Sequence, residues 1–246
     1  MSLSKRQKRK LRKNGMIGDN DEIPQRGMRL RKIQPKTWSQ QLVFDGYGED
    51  KHLLLHGMAG TGKTFISLYL ALNELFYENR AEYKTIKIVR SVVPTRDIGF
   101  LPGREEEKIG VYELPYKSIC NELFGRGDAY DILKHQKLIE FVSTSFVRGI
   151  TLNDCIVIVD EINNMNFHEI DSIITRLGDN SRIVFCGDFR QSDLTRQKER
   201  DGLHSFMKII DRLSDFEHVE FNANDIVRSQ LVKEYIIARE DLQICA

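Results

Sequence analysis

The run His56-Gly57-Met58-Ala59-Gly60-Thr61-Gly62-Lys63-Thr64 has the residue types and spacing of a phosphate-binding loop. Wrapping a polyphosphate in backbone N–H groups needs close approach. Glycines at 57, 60 and 62 remove the Cβ atoms that would block it. Lys63 brings a point charge to the β- and γ-phosphates, and Thr64 offers a hydroxyl to Mg²⁺. The nucleotide-binding run is expected over Gly57, Met58, Ala59, Gly60, Thr61, Gly62, Lys63 and Thr64, with Phe65 in the helix that follows. Further along, five apolar residues from Cys155 to Val159 end in Asp160-Glu161. Asp160 is expected to hold Mg²⁺, directly or through water, and Glu161 to act as the base that polarises an attacking water. A third segment, Arg182 to Cys186, runs into Gly187-Asp188-Phe189-Arg190-Gln191. The Gln191 amide can hydrogen-bond a γ-phosphate or the lytic water; by spacing alone it reads equally well as a polar loop residue.

These groups need elements to hold them. Alternating apolar runs and helical periodicities place strands at 52–56, 84–90, 139–143, 155–160, 182–186 and 217–221. Helices are expected at 63–77, 166–177, 203–213 and 229–239, and a long irregular and helical stretch between about 91 and 138. Strands alternating with helices imply a parallel sheet covered on both faces, with ligands at the carboxyl ends of the strands. The 246 residues are 41% hydrophobic, enough for a real core. No apolar run approaches the ~20 residues of a membrane span, and the start lacks an apolar signal region, so a cytoplasmic protein without a membrane partner is expected. The four cysteines lie far apart and the six histidines lack ligand spacing, which argues against a thiolate or imidazole metal site.

Charge is uneven. Residues 1–36 hold twelve Lys or Arg against three Asp or Glu, a net +9, and the remainder holds 25 against 33, a net −8. Residues 1–34 are therefore expected to be a basic, disordered arm, either a solubilising tail or a nucleic-acid-binding one, ahead of a single domain over 35–246.

Together the motifs resemble a known family. Gly-Met-Ala-Gly-Thr-Gly-Lys-Thr, Val-Asp-Glu and Gly-Asp-Phe-Arg-Gln are similar to motifs I, II and III of superfamily 1 helicases. The whole set more closely resembles the PhoH family of P-loop ATPases, in the compact form carried by bacteriophages. Arg90 to Gly103, Arg148 to Asp154, Thr175 to Gly178 and Asp225 to Arg228 carry further likeness, over roughly residues 35 to 235. Two positions depart from the family pattern. Asn163 stands where the family often has Gln, and Ser229 where it has His, so roles of those residues do not transfer.

The resemblance implies a RecA-like α/β P-loop domain, with residues 91–138 elaborated over the nucleotide edge. It implies ATP and Mg²⁺ as cofactors, and hydrolysis coupled to RNA or single-stranded DNA. It also implies a homo-oligomer, with a hexameric ring favoured, in the host cytoplasm if phage-encoded. Gln40 aligns with the family's Gln ahead of the loop and is expected to pair with adenine, with Gln41 the alternative. Pro94 to Gly103, carrying Arg96 and ending beside Arg104, is a candidate nucleic-acid path or a structural crossover. An arginine aimed at the transferring phosphoryl group accelerates such chemistry by about 10³–10⁵. The chain is too short for a second RecA-like domain to supply one. The arginine could come from the same domain or from a neighbouring subunit, and the favoured ring would put the site at a subunit junction; Arg228 is the first candidate, and Arg148 and Arg176 are weaker ones. Two rival functions stand beside the ATPase: a small-molecule kinase, and a non-translocating, nucleotide-regulated nucleic-acid-binding assembly.

Overall fold

The computed structural model describes residues 28–78, 83–92, 105–188 and 197–242. Six strands form one all-parallel sheet: β1 (His52–Gly57), β2 (Thr85–Arg90), β3 (Ile139–Ser143), β4 (Cys155–Asp160), β5 (Ser181–Gly187) and β6 (Phe216–Phe221). Their order is β3-β2-β4-β5-β1-β6. The phosphate-loop strand β1 and the acidic strand β4 are thus not neighbours. β5 lies between them, so Gly187 and Asp188 emerge in the middle of the functional edge.

Strand periodicity sorts the core. In β4, Ile156 and Ile158 point to one face, and Cys155, Val157 and Val159 to the other. The first face is covered by α1 (Trp38–Gly48), α2 (Lys63–Asn73), α3 (Glu105–Phe124) and α4 (Ala129–His135). The second is covered by α5 (Thr144–Val147), α6 (Phe167–Ile174) and α7 (Gln197–Ile210). Each large apolar side chain removed from water contributes about 1.5–3 kcal/mol, and both faces are lined with fully buried Leu, Ile and Val. Helix α8 (Gln230–Asp241) stands apart, setting Ile236 against Met58 and Ile226 beside the phosphate loop. The expected RecA-like α/β architecture is the one observed.

Two expectations are corrected. The arm boundary at residue 34 falls inside packed structure: Met28 and Leu30 are buried in the core, and the Arg31 N–H bonds the Leu123 carbonyl at 2.8 Å. Two apolar side chains in a basic stretch were enough to anchor it. The helix expected at 63–77 is α-helical only to Asn73 and becomes a π-turn over Glu74–Glu78. The described part of the 91–138 stretch links β2 to β3 and has its own share of the core, through Cys120, Leu123 and Leu133, while Tyr116 of α3 reaches Asp160 at the nucleotide edge. Residues 1–27, the Pro94 to Arg104 segment with Arg96, and Gln191 lie outside the described residues.

Candidate active site

The phosphate loop leaves β1 at Gly57, whose φ is +110°. A Cβ there would fall 2.1 Å from the Phe221 carbonyl oxygen at the end of β6, so only glycine fits. Gly62, at φ +85°, is the left-handed residue that opens α2. The first-turn N–H groups of α2 have no intrahelical partner and, with the helix dipole, favour an anion there. Lys63 folds back over the loop. Its ammonium donates to the carbonyls of Gly57 at 2.7 Å and Met58 at 2.8 Å, with Thr61 Oγ1 at 3.4 Å. Burial lowers its pKa, and Asp188, Glu161 and Asp160 pull the other way.

Opposite the loop, Thr64 Oγ1 donates to Asp160 Oδ1 at 2.8 Å. Two hard oxygen donors from α2 and β4 therefore converge on one point, which fits Mg²⁺. Asp160 is buried and its other oxygen accepts from the Tyr116 hydroxyl at 2.8 Å. Glu161 follows in the left-handed region, φ +55° and ψ +45°. A non-glycine residue there costs on the order of 1–3 kcal/mol, and the turn swings Glu161 off the strand. Burial pushes its carboxyl above the usual range, aided by Asp160 and opposed by Arg90, Asn163 and Lys63. Asn163 links this turn to β5, its Oδ1 accepting from the Asp188 N–H at 3.0 Å. Behind the turn, Asn166 and Glu169 form a capping box for α6, and Glu169 also accepts from Thr144 at 2.9 Å.

Two members were not singled out from sequence. Arg90 ends β2 in register with Asp160. Burial works against its charge, but Tyr116, Glu161 and Asp160 outweigh that and raise its pKa. Its guanidinium lies 5.7 Å from the Tyr112 ring, one helical turn before Tyr116 on α3. The available signal was the Tyr-x-x-x-Tyr spacing on a helix, which sets both rings on one face.

Gln40 sits beside the loop and is 4% exposed. Its Nε2 donates to the Thr61 carbonyl at 3.0 Å, and its Oε1 accepts from the Lys36 N–H at 2.7 Å. An amide has two donors and two lone pairs, so one of each remains. Gln41 instead bonds Asp45 on the surface. Phe65 is half-buried against the core.

Arg228 lies beside its own chain's phosphate loop. A Cβ on Gly60 would sit 3.0 Å from Arg228 Cγ, and the Val227 N–H bonds the Gly60 carbonyl at 3.1 Å. That pairing holds the arginine against its own phosphate loop. Arg148 is exposed beyond β3, two strands from β4, and Arg176 is exposed where its carbonyl meets Leu152, just ahead of the start of β4 and so at the strand end away from Asp160.

A family model described as PhoH-like protein matches residues 32–240. A PhoH-like protein of Mycobacterium leprae is 31% identical over 233 residues, covering 91% of this chain and 65% of that protein. The protein PhoH2 of Bacillus subtilis is 35% identical over 167 residues, covering 65% of this chain and 37% of its own length. This chain thus spans 65% or less of the length of these two relatives. Both come from bacteria, and the matches do not bear on the expected bacteriophage form. Among solved structures, the large terminase from a thermophilic bacteriophage aligns with a TM-score of 0.50 and 14% identity, over 82% of this chain and 50% of that one. That is a likeness of fold. Among the described residues no helix is long and apolar enough to cross a membrane, and no cluster of three or more His, Cys, Asp or Glu is placed to hold a metal.

Proposed function

The chain belongs to the PhoH family, and on that premise we propose that it is a Mg²⁺-dependent ATPase whose hydrolysis is coupled to RNA or single-stranded DNA. One observation carries the reading: Thr64 of the loop helix and Asp160 of β4 meet at 2.8 Å with Glu161 directly beyond them. Phosphate oxygens would take the Lys63 ammonium from the loop carbonyls it now bonds. They would also meet the free N–H groups of α2. Thr64 and Asp160 would hold Mg²⁺, which would supply charge neutralisation to the phosphates. Glu161 accepts the proton of the attacking water. Its raised pKa makes it a stronger base than an exposed carboxylate, while Arg90 and Lys63 help keep it ionised. Gln40, anchored to Thr61, keeps one donor and one acceptor for an adenine edge. Gln191 is assigned the γ-phosphate contact on motif grounds alone.

The placement of Arg228 over Gly60 supports a contribution to its own chain's site. A ring is then not needed to complete the catalytic set, whatever the oligomeric state. The basic N-terminal stretch supports a nucleic-acid partner.

The test is phosphate release from Mg-ATP, with RNA, single-stranded DNA or neither, for the wild-type protein and Glu161→Gln. Acceptor-free release, stimulated by one nucleic acid and lost in Glu161→Gln, is expected. Release only with an added small-molecule acceptor would favour a kinase. Binding of nucleic acid without stimulation would favour a non-translocating assembly. Mixing Arg228→Ala with Lys63→Ala should leave activity absent, because each chain then lacks part of its own site; recovery in mixed oligomers would return Arg228 to a neighbour's site.

A further inference from the structure

We propose that Tyr116 is a positioning residue of the metal site: its hydroxyl sets the rotation of the Asp160 carboxylate so that Oδ1 faces Thr64 and the divalent cation. The inference rests on the Mg²⁺-nucleotide reading above. A carboxylate at a strand end turns about its Cβ–Cγ bond unless both oxygens are held. Here Oδ1 takes the Thr64 hydroxyl and Oδ2 the Tyr116 hydroxyl, each at 2.8 Å. The two donors come from α2 and α3, so neither bond is a local accident of β4.

The ring itself is fixed. Tyr116 is 1% exposed and packs at 6.0 Å from Phe141 of β3. One turn earlier, Tyr112 lies against Arg90, whose register partner across the sheet is Asp160. Helix α3 therefore grips the carboxylate directly through Tyr116 and indirectly through Arg90. A buried tyrosine needs some acceptor. This one takes the free oxygen of the single carboxylate that Thr64 also addresses. Partners of this kind, one bond behind a metal ligand, change metal affinity by about 10–100-fold when removed.

Tyr116→Phe deletes one oxygen and keeps the ring. Mn²⁺ serves as the probe, titrated against protein with ADP and read by its electron paramagnetic resonance signal. Asp160→Asn marks the loss of the site. Tyr116→Phe should bind Mn²⁺ about tenfold more weakly, while ADP affinity in EDTA and the thermal midpoint stay near wild type. Tyr116→His, which returns an N–H donor, should recover part of the loss. Wild-type Mn²⁺ binding in Tyr116→Phe would overturn the proposal alone. A thermal midpoint that falls in Tyr116→Phe along with Mn²⁺ binding would assign the effect to packing and overturn it too. A wild-type protein with no ADP-dependent Mn²⁺ site would overturn the metal reading itself, and this inference with it.

Discussion

Two arginines sit at opposite ends of the strands, each among tyrosines and carboxylates. Arg182 opens β5 and is 1% exposed. It bonds Glu74 at 2.7 Å, pairs with Asp50, reaches the Tyr47 carbonyl and lies 4.2 Å from the Tyr47 ring. Burial opposes its charge, but Tyr47, Glu74, Tyr83 and Asp50 together raise its pKa. Arg90, which closes β2, is only half-buried and shares its carboxylates with Thr64, Tyr116 and Lys63. The ingredients are alike and the arrangements differ. Around Arg182, two carboxylates converge on one guanidinium, and the group is closed. Around Arg90, two consecutive carboxylates crowd each other, one of them in a left-handed turn, and the charge is left to be completed by a ligand. The first cluster holds structure together; the second stores unfavourable electrostatics where chemistry is proposed.

Substitutions can break this contrast. The largest effect is expected for Glu161→Gln: ATP hydrolysis should fall about 10²–10⁴-fold while ATP binding persists. Its folded pKa is raised, so the folded state binds its proton more readily than the unfolded chain does. Stability therefore falls as pH rises from the unfolded value through the folded one, and the cost is complete above it. Melting at neutral pH should show Glu161→Gln as stable as wild type or more so. A clearly lower midpoint would make Glu161 a structural residue.

Arg182→Met should do the reverse. It leaves Glu74 and Asp50 without their guanidinium, and breaking such a buried pair costs about 3–5 kcal/mol. Chemical denaturation would read that loss, and turnover per folded molecule should be unchanged. A fall in turnover without a fall in stability would merge the two clusters into one functional system.

The smallest effect sharpens the contrast within the catalytic edge. Asp225 is buried and held by Ser39 and the Asn222 N–H, at 2.8 and 3.0 Å, just ahead of Arg228. Burial would raise its pKa, but these bonds and those from Thr37 and the Ser39 backbone win and lower it. Its ionised form thus stabilises the fold above the unfolded pKa, and that contribution is lost as pH falls through the folded one. Asp225→Asn should cost about 1 kcal/mol at neutral pH. Its melting deficit should shrink on acidification; a deficit independent of pH would mean that shape, not charge, is what Asp225 supplies.

The sequence was most informative where the chain speaks locally. Glycine spacing in the loop, the apolar run into Asp160-Glu161 and the period of each strand placed six strands to within one residue at each end. Family-level likeness led to Arg228 and left open whether it serves its own domain or a neighbouring subunit; the fold sets its Cγ beside its own loop. The Val227 N–H that pins it to Gly60 makes a contact between the last sheet turn and the first loop, which no local pattern encodes. Arg90 and Tyr116 were passed over for the same reason: each is an ordinary residue at its place in the chain, and becomes notable only beside Asp160. The π-turn at Glu74 had no signal of its own either; its first residue is the one that meets Arg182 across the helix–sheet contact.

What the sequence determined by itself is the chemistry available, because glycine, lysine, threonine and paired acids at fixed short spacing act within one loop or one strand end. Tertiary structure alone decided which groups share charge. It set Arg90, Tyr116 and Thr64 around Asp160, and Glu74 and Asp50 around Arg182, from segments tens of residues apart in the chain. Coulomb and hydrogen-bond energies depend on distances of a few ångströms in space, and only the folded sheet fixes those.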